Sequence, residues 1–265
     1  MNPSRVFVSP LGRLVTTQFL ASPPLRKLGK RLVLNKIDEK LQEEAATTIP
    51  GMVEDEGQML RNLLGAVERW LETGNVRRRT LRRFLKSFSA MSSSENRAVI
   101  ERFEQEHGMS TPRFITISPT MRCNLRCTGC YAASGEDTDF SLSHEVFDRI
   151  IREQKELWGS HFVVISGGEP LLWKDSGYDL LDVVESHPDV FFLMYTNGTR
   201  INRETAERMA QLGNITPCLS VEGFETETDE RRGRGVHRKV VEAFGHLHEA
   251  GVLYGTSITV TRYNK

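Results

Sequence analysis

The chain has 265 residues with 35 basic and 35 acidic side chains, so its formal net charge is zero. Such a balance disfavours a strongly basic nucleic-acid-binding protein, and we expect no nucleic-acid partner. The zero is a sum of two unlike parts, because residues 1–110 carry 18 basic and 13 acidic side chains whereas residues 111–265 carry 17 and 22. The length has room for about two domains, and we place their boundary between residues 110 and 111.

No apolar run approaches the roughly 20 residues that a membrane-spanning helix needs. The N-terminus lacks the long apolar segment of a secretory signal, and three of the four cysteines fall within eight positions. Clustered cysteines indicate metal binding in a reducing compartment rather than a disulfide framework. We therefore expect a cytoplasmic protein.

Residues 1–110 have the spacing of helices and irregular connections. Apolar residues recur every three or four positions in a segment that ends at Gly74, which predicts an amphipathic helix. The stripe consists of Met59, Leu60, Leu63, Leu64, Val67 and Leu71. A second predicted helix carries Arg79, Arg82 and Arg83 on one face, which is either solvated or a weak contact for anionic lipid headgroups. A last short helix is predicted to end at Gly108.

From Arg113 onward strand-like and helix-like segments alternate, which predicts a parallel sheet or barrel. Ser143 and Asn202 are predicted to begin helices, and Gly213 to end one. Polar residues alternate along the first, fourth and fifth strands, which indicates an inner face that is wet or holds a polar ligand. The five predicted strands cover residues 114–120, 162–166, 191–196, 215–221 and 252–261.

Cys123, Cys127 and Cys130 follow the first predicted strand in a C-x3-C-x2-C arrangement. Three thiolates on one loop suit a soft metal, and iron–sulfur clusters are held by such thiolates. A set of three leaves one iron of a four-iron cluster open to a small molecule. Zinc is the alternative, but a structural zinc site needs four closed ligands, and no second cysteine pair follows.

The segment CNLRCTGCYA (residues 123–132), with SGGEP (residues 166–170) after the second predicted strand, resembles the radical S-adenosylmethionine (radical SAM) superfamily. The resemblance covers residues 114–265 and implies a barrel of six βα units, of which five strands are found here. The expected fold class is therefore α/β, a partial (βα)6 barrel preceded by an α-helical N-terminal region. Such cores often precede an auxiliary domain of the SPASM or twitch type, and we expect the chain to be C-terminally incomplete.

The resemblance implies that the three cysteines ligate a 4Fe–4S cluster whose open iron chelates the amino and carboxylate groups of SAM. One electron then cleaves the sulfonium C–S bond to give methionine and a 5′-deoxyadenosyl radical, which abstracts a substrate hydrogen. A one-electron donor such as ferredoxin or flavodoxin is implied as a partner. The substrate class stays open between a peptide or protein and a small molecule.

The resemblance also implies SAM contacts at positions that match the motifs of the family. These are Gly167, Gly168 and Glu169 at the methionine ammonium, Ser220 and Glu222 near the ribose, Arg232 rather than Arg231 at the methionine carboxylate, Thr259 near the adenine, and Asn197 as a ligand contact or a turn residue. Two positions depart from the pattern. Glu222 is one methylene longer than the usual aspartate, and the aromatic residue often found before the last cysteine is replaced by Gly129, with Tyr131 as its candidate substitute.

Two other hypotheses stay open. The first is a catalytically idle protein that keeps the cluster and binds SAM or a partner, because a sixth βα unit is missing from the barrel. The second is a domain stabilised by zinc. The fourth cysteine, Cys218, lies on the fourth predicted strand and is expected to be a small core hydrophobe.

Overall fold

The computed structural model of the protein describes residues 50–74 and 93–264 apart from positions 136 and 263, together with positions 31, 34, 35, 38, 39, 80 and 83. The chain divides into two compact units, residues 1–75 and residues 76–265. The domain boundary after residue 110 stays a prediction.

The first unit contains the helix α1, Pro50–Thr73. Proline is tolerated at the first position of a helix, because the N–H that it lacks would have no partner there. Gly74 follows with a φ of 68°, a left-handed conformation that glycine adopts without strain and that often ends helices. The helix predicted to end at Gly74 is confirmed, while the apolar side chains of its predicted stripe lie outside the described ones.

Helix α2 of the second unit spans Ser94–His107. The Ser93 hydroxyl accepts a hydrogen bond from the backbone N–H of Asn96, and Gly108 is left-handed, so both ends of the helix are capped. The side-chain amide of Asn96 donates to the carbonyl of Gly159 at 2.8 Å, which ties α2 to the α/β part of the same unit. The helix predicted to end at Gly108 is confirmed.

The predicted basic helix face is described at one position only. Arg83 is helical, whereas Arg79 and Arg82 lie outside the described residues. Contact of this face with lipid stays a prediction. In the parts of the chain that the structure describes, no helix is long and apolar enough to cross a membrane.

The second unit is built on a five-stranded sheet of order β1-β2-β5-β6-β7, in which every neighbouring pair is parallel. A separate antiparallel hairpin, β3–β4, follows β2. The parallel α/β architecture expected from the sequence is confirmed. Its elements in chain order are β1 Ile115–Ile117, α3 His144–Trp158, β2 Phe162–Ile165, β3 Lys174–Asp175, β4 Tyr178–Asp179, α4 Leu180–Ser186, β5 Phe191–Thr196, α5 Arg203–Leu212, β6 Ile215–Ser220, α6 Glu225–Arg232, α7 Val236–Ala250 and β7 Gly255–Ser257.

The helix boundaries follow from local sequence signals. The Ser143 hydroxyl accepts from the Val146 N–H at the start of α3, and the Asn202 side chain accepts from the Thr205 N–H at the start of α5. Gly213 ends α5 in the left-handed conformation. The helix starts at Ser143 and Asn202 and the helix end at Gly213 are thereby confirmed.

One face of the sheet packs on the helices. Val163, Ile165, Phe192 and Met194 lie in that hydrophobic core and are fully buried. Side chains of opposite parity on the same strands belong to the other face, where Tyr195 keeps 39% of its accessible surface. On β1 the predicted alternation is also found, since Thr116 and Ser118 are exposed while Ile117 is buried. The carboxyl end of this second face holds the candidate site.

The fifth predicted strand is shorter than expected. Pairing with β6 ends at Ser257, whereas the alternation predicted a strand to Thr261. Beyond Ser257 the side chain of Asn264 takes the place of the sheet partner, because its Nδ2 donates to the carbonyls of Glu222 and Thr259 and its Oδ1 accepts from the Thr261 N–H. Thr259 therefore lies outside the sheet.

Sequence patterns also missed the hairpin and α6. Strands of two residues, such as β3 and β4, are too short to show the alternation of apolar and polar residues that predicts a strand. Helix α6 has a single buried residue, Thr228, so it has no apolar stripe to reveal it.

Candidate functional site

The three cysteines lie on the loop that leaves the carboxyl end of β1. Cys123 is buried, with 8% of its surface exposed, and Cys127 and Cys130 are half-buried. The backbone of the loop is fixed at both ends, because the Cys123 N–H donates to the carbonyl of Gly135 and the Cys130 N–H to that of Cys127. All three are free thiols at the carboxyl edge of the sheet.

The glycine pair after β2 holds this loop against the sheet. The Gly168 N–H donates to the carbonyl of Thr120 at 2.9 Å, and the Glu169 N–H donates to that of Arg122 at 2.8 Å. A Cβ atom on Gly168 would overlap the carbonyl of Arg122, and one on Gly167 would lie 2.6 Å from that of Thr120. Glycines are thus required where the two backbones meet. They allow the start of the cysteine loop to lie directly against the end of β2.

Glu169 is completely buried, and its carboxylate accepts hydrogen bonds from other residues of the protein. It accepts from the Thr196 hydroxyl at 2.8 Å, from the Asn197 N–H at 2.8 Å and from the Leu171 N–H at 3.2 Å. Burial raises the pKa of the Glu169 carboxyl, and the hydrogen bonds from Asn197 and Thr196 oppose that effect. Glu169 therefore joins the end of β2 to the end of β5, and its contact with a methionine ammonium stays a prediction.

Asn197, at the carboxyl end of β5, is placed beside the cysteine loop. Its side chain is buried and its Nδ2 lies 3.7 Å from the Sγ of Cys123. Asn124 and Thr199 surround the same amide through hydrogen bonds of 3.0 and 2.7 Å. The structure thus brings Asn197 to a cysteine thiol.

The end of β6 carries an acid between two arginines. Glu222 has only 3% of its side chain exposed and accepts from both Arg231 and Arg232 of α6. Arg232 forms two of these bonds, Nε to Oε2 at 2.5 Å and Nη2 to Oε1 at 2.7 Å. Its remaining nitrogen, Nη1, lies 4.0 Å from the Sγ of Cys127. A guanidinium in this position has the geometry to receive a carboxylate.

Arg231 also fixes the cysteine loop to α6. Its carbonyl accepts from the Thr128 N–H at 2.8 Å, and its Nε donates back to the Thr128 carbonyl at 3.3 Å. Arg231 is thus held both by the loop between Cys127 and Cys130 and by Glu222, whereas Arg232 binds Glu222 through two nitrogens.

Tyr131 reaches the glycine motif with its hydroxyl. The Oη lies 2.6 Å from Ser166 Oγ and accepts from the Gly167 N–H at 3.4 Å. The ring itself is 81% exposed. Tyr131 therefore links the cysteine loop to the end of β2 and presents an aromatic face at the rim.

Two predicted contacts and the fourth cysteine lie on the far strands. Ser220 is paired in register with Ser257 of β7, on the same face as Cys218. Thr259 is exposed beyond the end of β7. Burial raises the pKa of the Cys218 thiol, but the residue is only half-buried and pairs with Tyr195 on the face opposite the hydrophobic core, so the expected core position is not found. The SAM-contact roles of Ser220 and Thr259 stay predictions.

The donor set fits an iron–sulfur cluster better than a zinc ion. Burial raises the pKa of the Cys123 and Cys127 thiols, and Arg232 opposes the rise at Cys127. Within the described part of the chain, no three His, Cys, Asp or Glu side chains are arranged around a single ion. A structural zinc site takes four closed ligands, whereas this loop supplies three cysteines, and thiolates are the ligands of iron–sulfur clusters.

Two residues of this site, Asn124 and Thr199, were missed from the sequence, whereas Arg231 was considered there and ranked behind Arg232. Asn124 follows the first cysteine, and Thr199 follows the Asn197-Gly198 turn. Their signal was adjacency to a predicted site residue, which is weak because polar neighbours are common in loops.

A parallel α/β sheet whose carboxyl edge presents three free cysteines beside a glutamate–arginine cluster defines a core for a cysteine-ligated metal cofactor and an anionic ligand. Residues 117–264, more than half of the chain, match the Radical SAM superfamily, and the chain belongs to this family. The family uses a 4Fe–4S cluster and SAM.

The chain is 34% identical over 168 residues to the mycofactocin maturase MftC of Mycobacterium ulcerans, an alignment that covers 63% of this chain and 44% of MftC. It is 30% identical over 148 residues to the Fe-coproporphyrin III synthase of Methanosarcina barkeri, which covers 55% and 36% of the two chains. The solved structure of Streptococcus suis SuiB bound to precursor peptide SuiA has a TM-score of 0.51 at 24% identity, over 63% of this chain and 38% of SuiB. That likeness shows the fold. The chain spans less than half the length of these curated relatives.

Proposed function

We propose that the protein is a radical SAM enzyme in which Cys123, Cys127 and Cys130 hold a 4Fe–4S cluster. The observation that carries the proposal is the position of Arg232 between Glu222 and Cys127, one of the three cysteines on the loop at the carboxyl edge of one parallel sheet. When bound, the cluster and SAM supply one-electron cleavage of the sulfonium bond and a 5′-deoxyadenosyl radical. The protein itself binds and orients SAM and the substrate, and it excludes water from the site.

Arg232 is the proposed partner of the SAM carboxylate. Its guanidinium is held by Glu222 through two nitrogens, and the third nitrogen is directed toward Cys127. A ligand carboxylate held near Cys127 would meet that nitrogen. Glu222 is thereby an orienting group for Arg232 in this proposal, since both of its oxygens already accept from arginine.

The glycine motif, residues 166–170, forms a second wall of the candidate site. Gly167 and Gly168 pass close under the cysteine loop, and the buried Glu169 fixes the Asn197 backbone through a hydrogen bond. We place the methionine ammonium near this wall, the ribose near Ser220 and the adenine near Tyr131 and the end of β7. These placements follow the motif positions of the family.

The proposed substrate is a peptide. The relative with 34% identity is a maturase, and three aromatic side chains at the carboxyl edge, Tyr131, Phe140 and Phe224, are each at least 79% exposed. Large exposed apolar side chains around an open site are typical of surfaces that receive a partner. A tetrapyrrole is the competing substrate, because a relative with 30% identity is a coproporphyrin synthase.

The proposed electron donor is a ferredoxin or flavodoxin, and the proposed compartment is the cytoplasm. An iron–sulfur site with low-potential chemistry needs a one-electron donor, and clustered free thiols persist in a reducing compartment.

The test is SAM cleavage by anaerobically reconstituted protein with dithionite. Formation of 5′-deoxyadenosine and methionine in equal amounts is expected, and Cys127→Ser should abolish it together with the bound iron. Cys218→Ser is the matched control, because this thiol lies within strand β6 and not on the cysteine loop, and it should retain both. A protein that binds iron, sulfide and SAM but forms no 5′-deoxyadenosine above the Cys127→Ser level would support the idle alternative.

The substrate is tested by hydrogen transfer. Peptides encoded by short reading frames beside the gene are produced in deuterated medium and added to the reaction. Deuterium in 5′-deoxyadenosine, at the expense of a C–D bond of the peptide, is the expected result. Deuterium transfer from a deuterated iron tetrapyrrole precursor of Fe-coproporphyrin III, with none from the peptides, would overturn the peptide proposal while leaving radical SAM chemistry intact.

A further inference from the structure

Three polar side chains next to Cys123 form a closed ring of hydrogen bonds. The Nδ2 of Asn197 donates to Oδ1 of Asn124 at 3.0 Å, and the Nδ2 of Asn124 donates to the Thr199 hydroxyl at 2.8 Å. The Thr199 hydroxyl donates to Oδ1 of Asn197 at 2.7 Å, which closes the ring. Each group accepts from one neighbour and donates to the next, so the ring has one consistent direction.

A backbone group fixes that direction. The Thr199 N–H donates to Oδ1 of Asn197 at 2.9 Å. Since a backbone N–H can only donate, the oxygen of the Asn197 amide must face it and the nitrogen must lie on the other side. One N–H of that nitrogen bonds to Asn124, and the other is directed at the Sγ of Cys123, 3.7 Å from Nδ2.

These contacts occupy every hydrogen-bond donor and acceptor of the Asn197 side chain. An amide has two donors and an oxygen with two lone pairs, and Asn124, Cys123 and the two Thr199 groups occupy all four. The side chain is only 7% exposed. A role as a direct SAM contact is therefore less suited to Asn197 than a role toward the thiol.

We propose that Asn197 is a positioning residue whose N–H···S hydrogen bond to Cys123 raises the reduction potential of the cluster; this inference rests on the proposed function. Hydrogen bonds to ligating sulfurs are among the factors that set iron–sulfur potentials. Reduction adds one electron to the cluster and raises the negative charge on its sulfurs. A fixed N–H dipole stabilises that charge, so the donor favours the reduced cluster.

The experiment is an anaerobic redox titration of the reconstituted protein without SAM, followed by the electron paramagnetic resonance signal of the reduced cluster. Asn197→Ala should lower the ratio of reduced to oxidised cluster about three- to tenfold at a fixed potential, which is about 28–59 mV for one electron. Thr199→Val removes the hydroxyl of the ring but keeps the backbone N–H, so its shift should have the same sign and be smaller.

Asn202→Ser is the matched control, because serine preserves the helix-capping side chain of α5 and the position lies outside the ring. It should keep the wild-type potential. If Asn197→Ala fails to retain iron, the Thr199→Val variant is the test. A lower reduction potential in that variant supports the inference, and an unchanged or higher potential overturns it. If both ring variants have the wild-type reduction potential and the protein cleaves SAM, this inference is overturned and the proposed function stands. If the wild-type protein binds no iron, the proposed function is overturned instead.

Discussion

Arg232 and Glu222 form a bidentate ion pair that leaves one guanidinium nitrogen directed at a cysteine. Two nitrogens of Arg232 bind the two oxygens of Glu222 at 2.5 and 2.7 Å, and Nη1 lies 4.0 Å from the Sγ of Cys127. Because the acid is almost completely buried, it fixes the orientation of the guanidinium. A ligand carboxylate at this place shares Arg232 with Glu222 through the third nitrogen.

Glu222→Gln should weaken SAM binding and destabilise the fold. Glutamine keeps the shape but removes the charge that holds two arginines, and breaking a buried pair costs roughly 3–5 kcal/mol, reduced to about 2–3 here because both arginines are partly exposed. We expect the Kd for SAM to rise about tenfold, which is about 1.4 kcal/mol. Isothermal titration calorimetry and urea unfolding measure the two effects.

Glu249→Gln is the control for that change, since it removes the exposed ion pair with Arg203. Exposed pairs contribute about 0–1 kcal/mol, so this variant should unfold like the wild type. Tighter SAM binding by Glu222→Gln would mean that the two carboxylates compete for Arg232, contrary to the orienting role proposed for Glu222.

The two arginines should differ when each is replaced by lysine. Arg232 uses its planar fork on Glu222, which a lysine cannot reproduce, whereas Arg231 is also held through its backbone to Thr128. Arg232→Lys should raise the Kd for SAM at least about tenfold, and Arg231→Lys should raise it less. Equal effects of both variants in calorimetry would argue against a specific role for Arg232.

Gly168→Ala should prevent assembly of the site. Its Cβ would overlap the Arg122 carbonyl, and two backbones would have to separate. We expect lost iron binding, and a free energy of unfolding lower by at least about 2 kcal/mol. Gly245→Ala in α7 is the matched control, because its Cβ meets no atom within 4 Å and alanine favours helices by about 1 kcal/mol. Normal iron binding by Gly168→Ala would contradict the role assigned to this glycine.

The sequence was most informative where the signal is local. Helix caps such as Ser143 and Asn202 and the buried strand β5 follow from residues within a few positions of each other. The cysteine spacing and the SGGEP segment likewise located two walls of the site, because each is a short run of adjacent residues.

What sequence reasoning missed depends on contacts between distant segments. Asn124 and Asn197 meet across 73 positions, and the glycines of the motif meet the cysteine loop rather than only a ligand. Glu222 was expected at a ribose because, with Ser220, it matches the S-x-D-like pair that the family often has there. Its pairing with α6 could not be foreseen, since that helix has no apolar period and was not predicted.

His187 should make the stability of the second unit depend on pH near neutrality. Its imidazole is buried and lies 2.9 Å from Asp148, and burial lowers the pKa of His187 below 6.5 although Asp148 opposes that effect. Burial acts to raise the pKa of Asp148, but the hydrogen bond from Arg152 and the neighbouring His187 outweigh it and lower that pKa, so Asp148 stays a carboxylate beside His187 near neutral pH.

As pH falls through about 6.5, the unfolded chain therefore binds a proton at His187 that the folded chain does not bind until a lower pH. The free energy of unfolding should decrease across this window, with a slope of at most about 1.4 kcal/mol per pH unit. Urea unfolding at about pH 5, 6 and 7 measures the slope, and His187→Gln, which can still donate to Asp148, should reduce it. His248→Gln, at an exposed position of α7, should leave the slope unchanged. An equal slope in wild type and His187→Gln would place the pH dependence elsewhere in the chain.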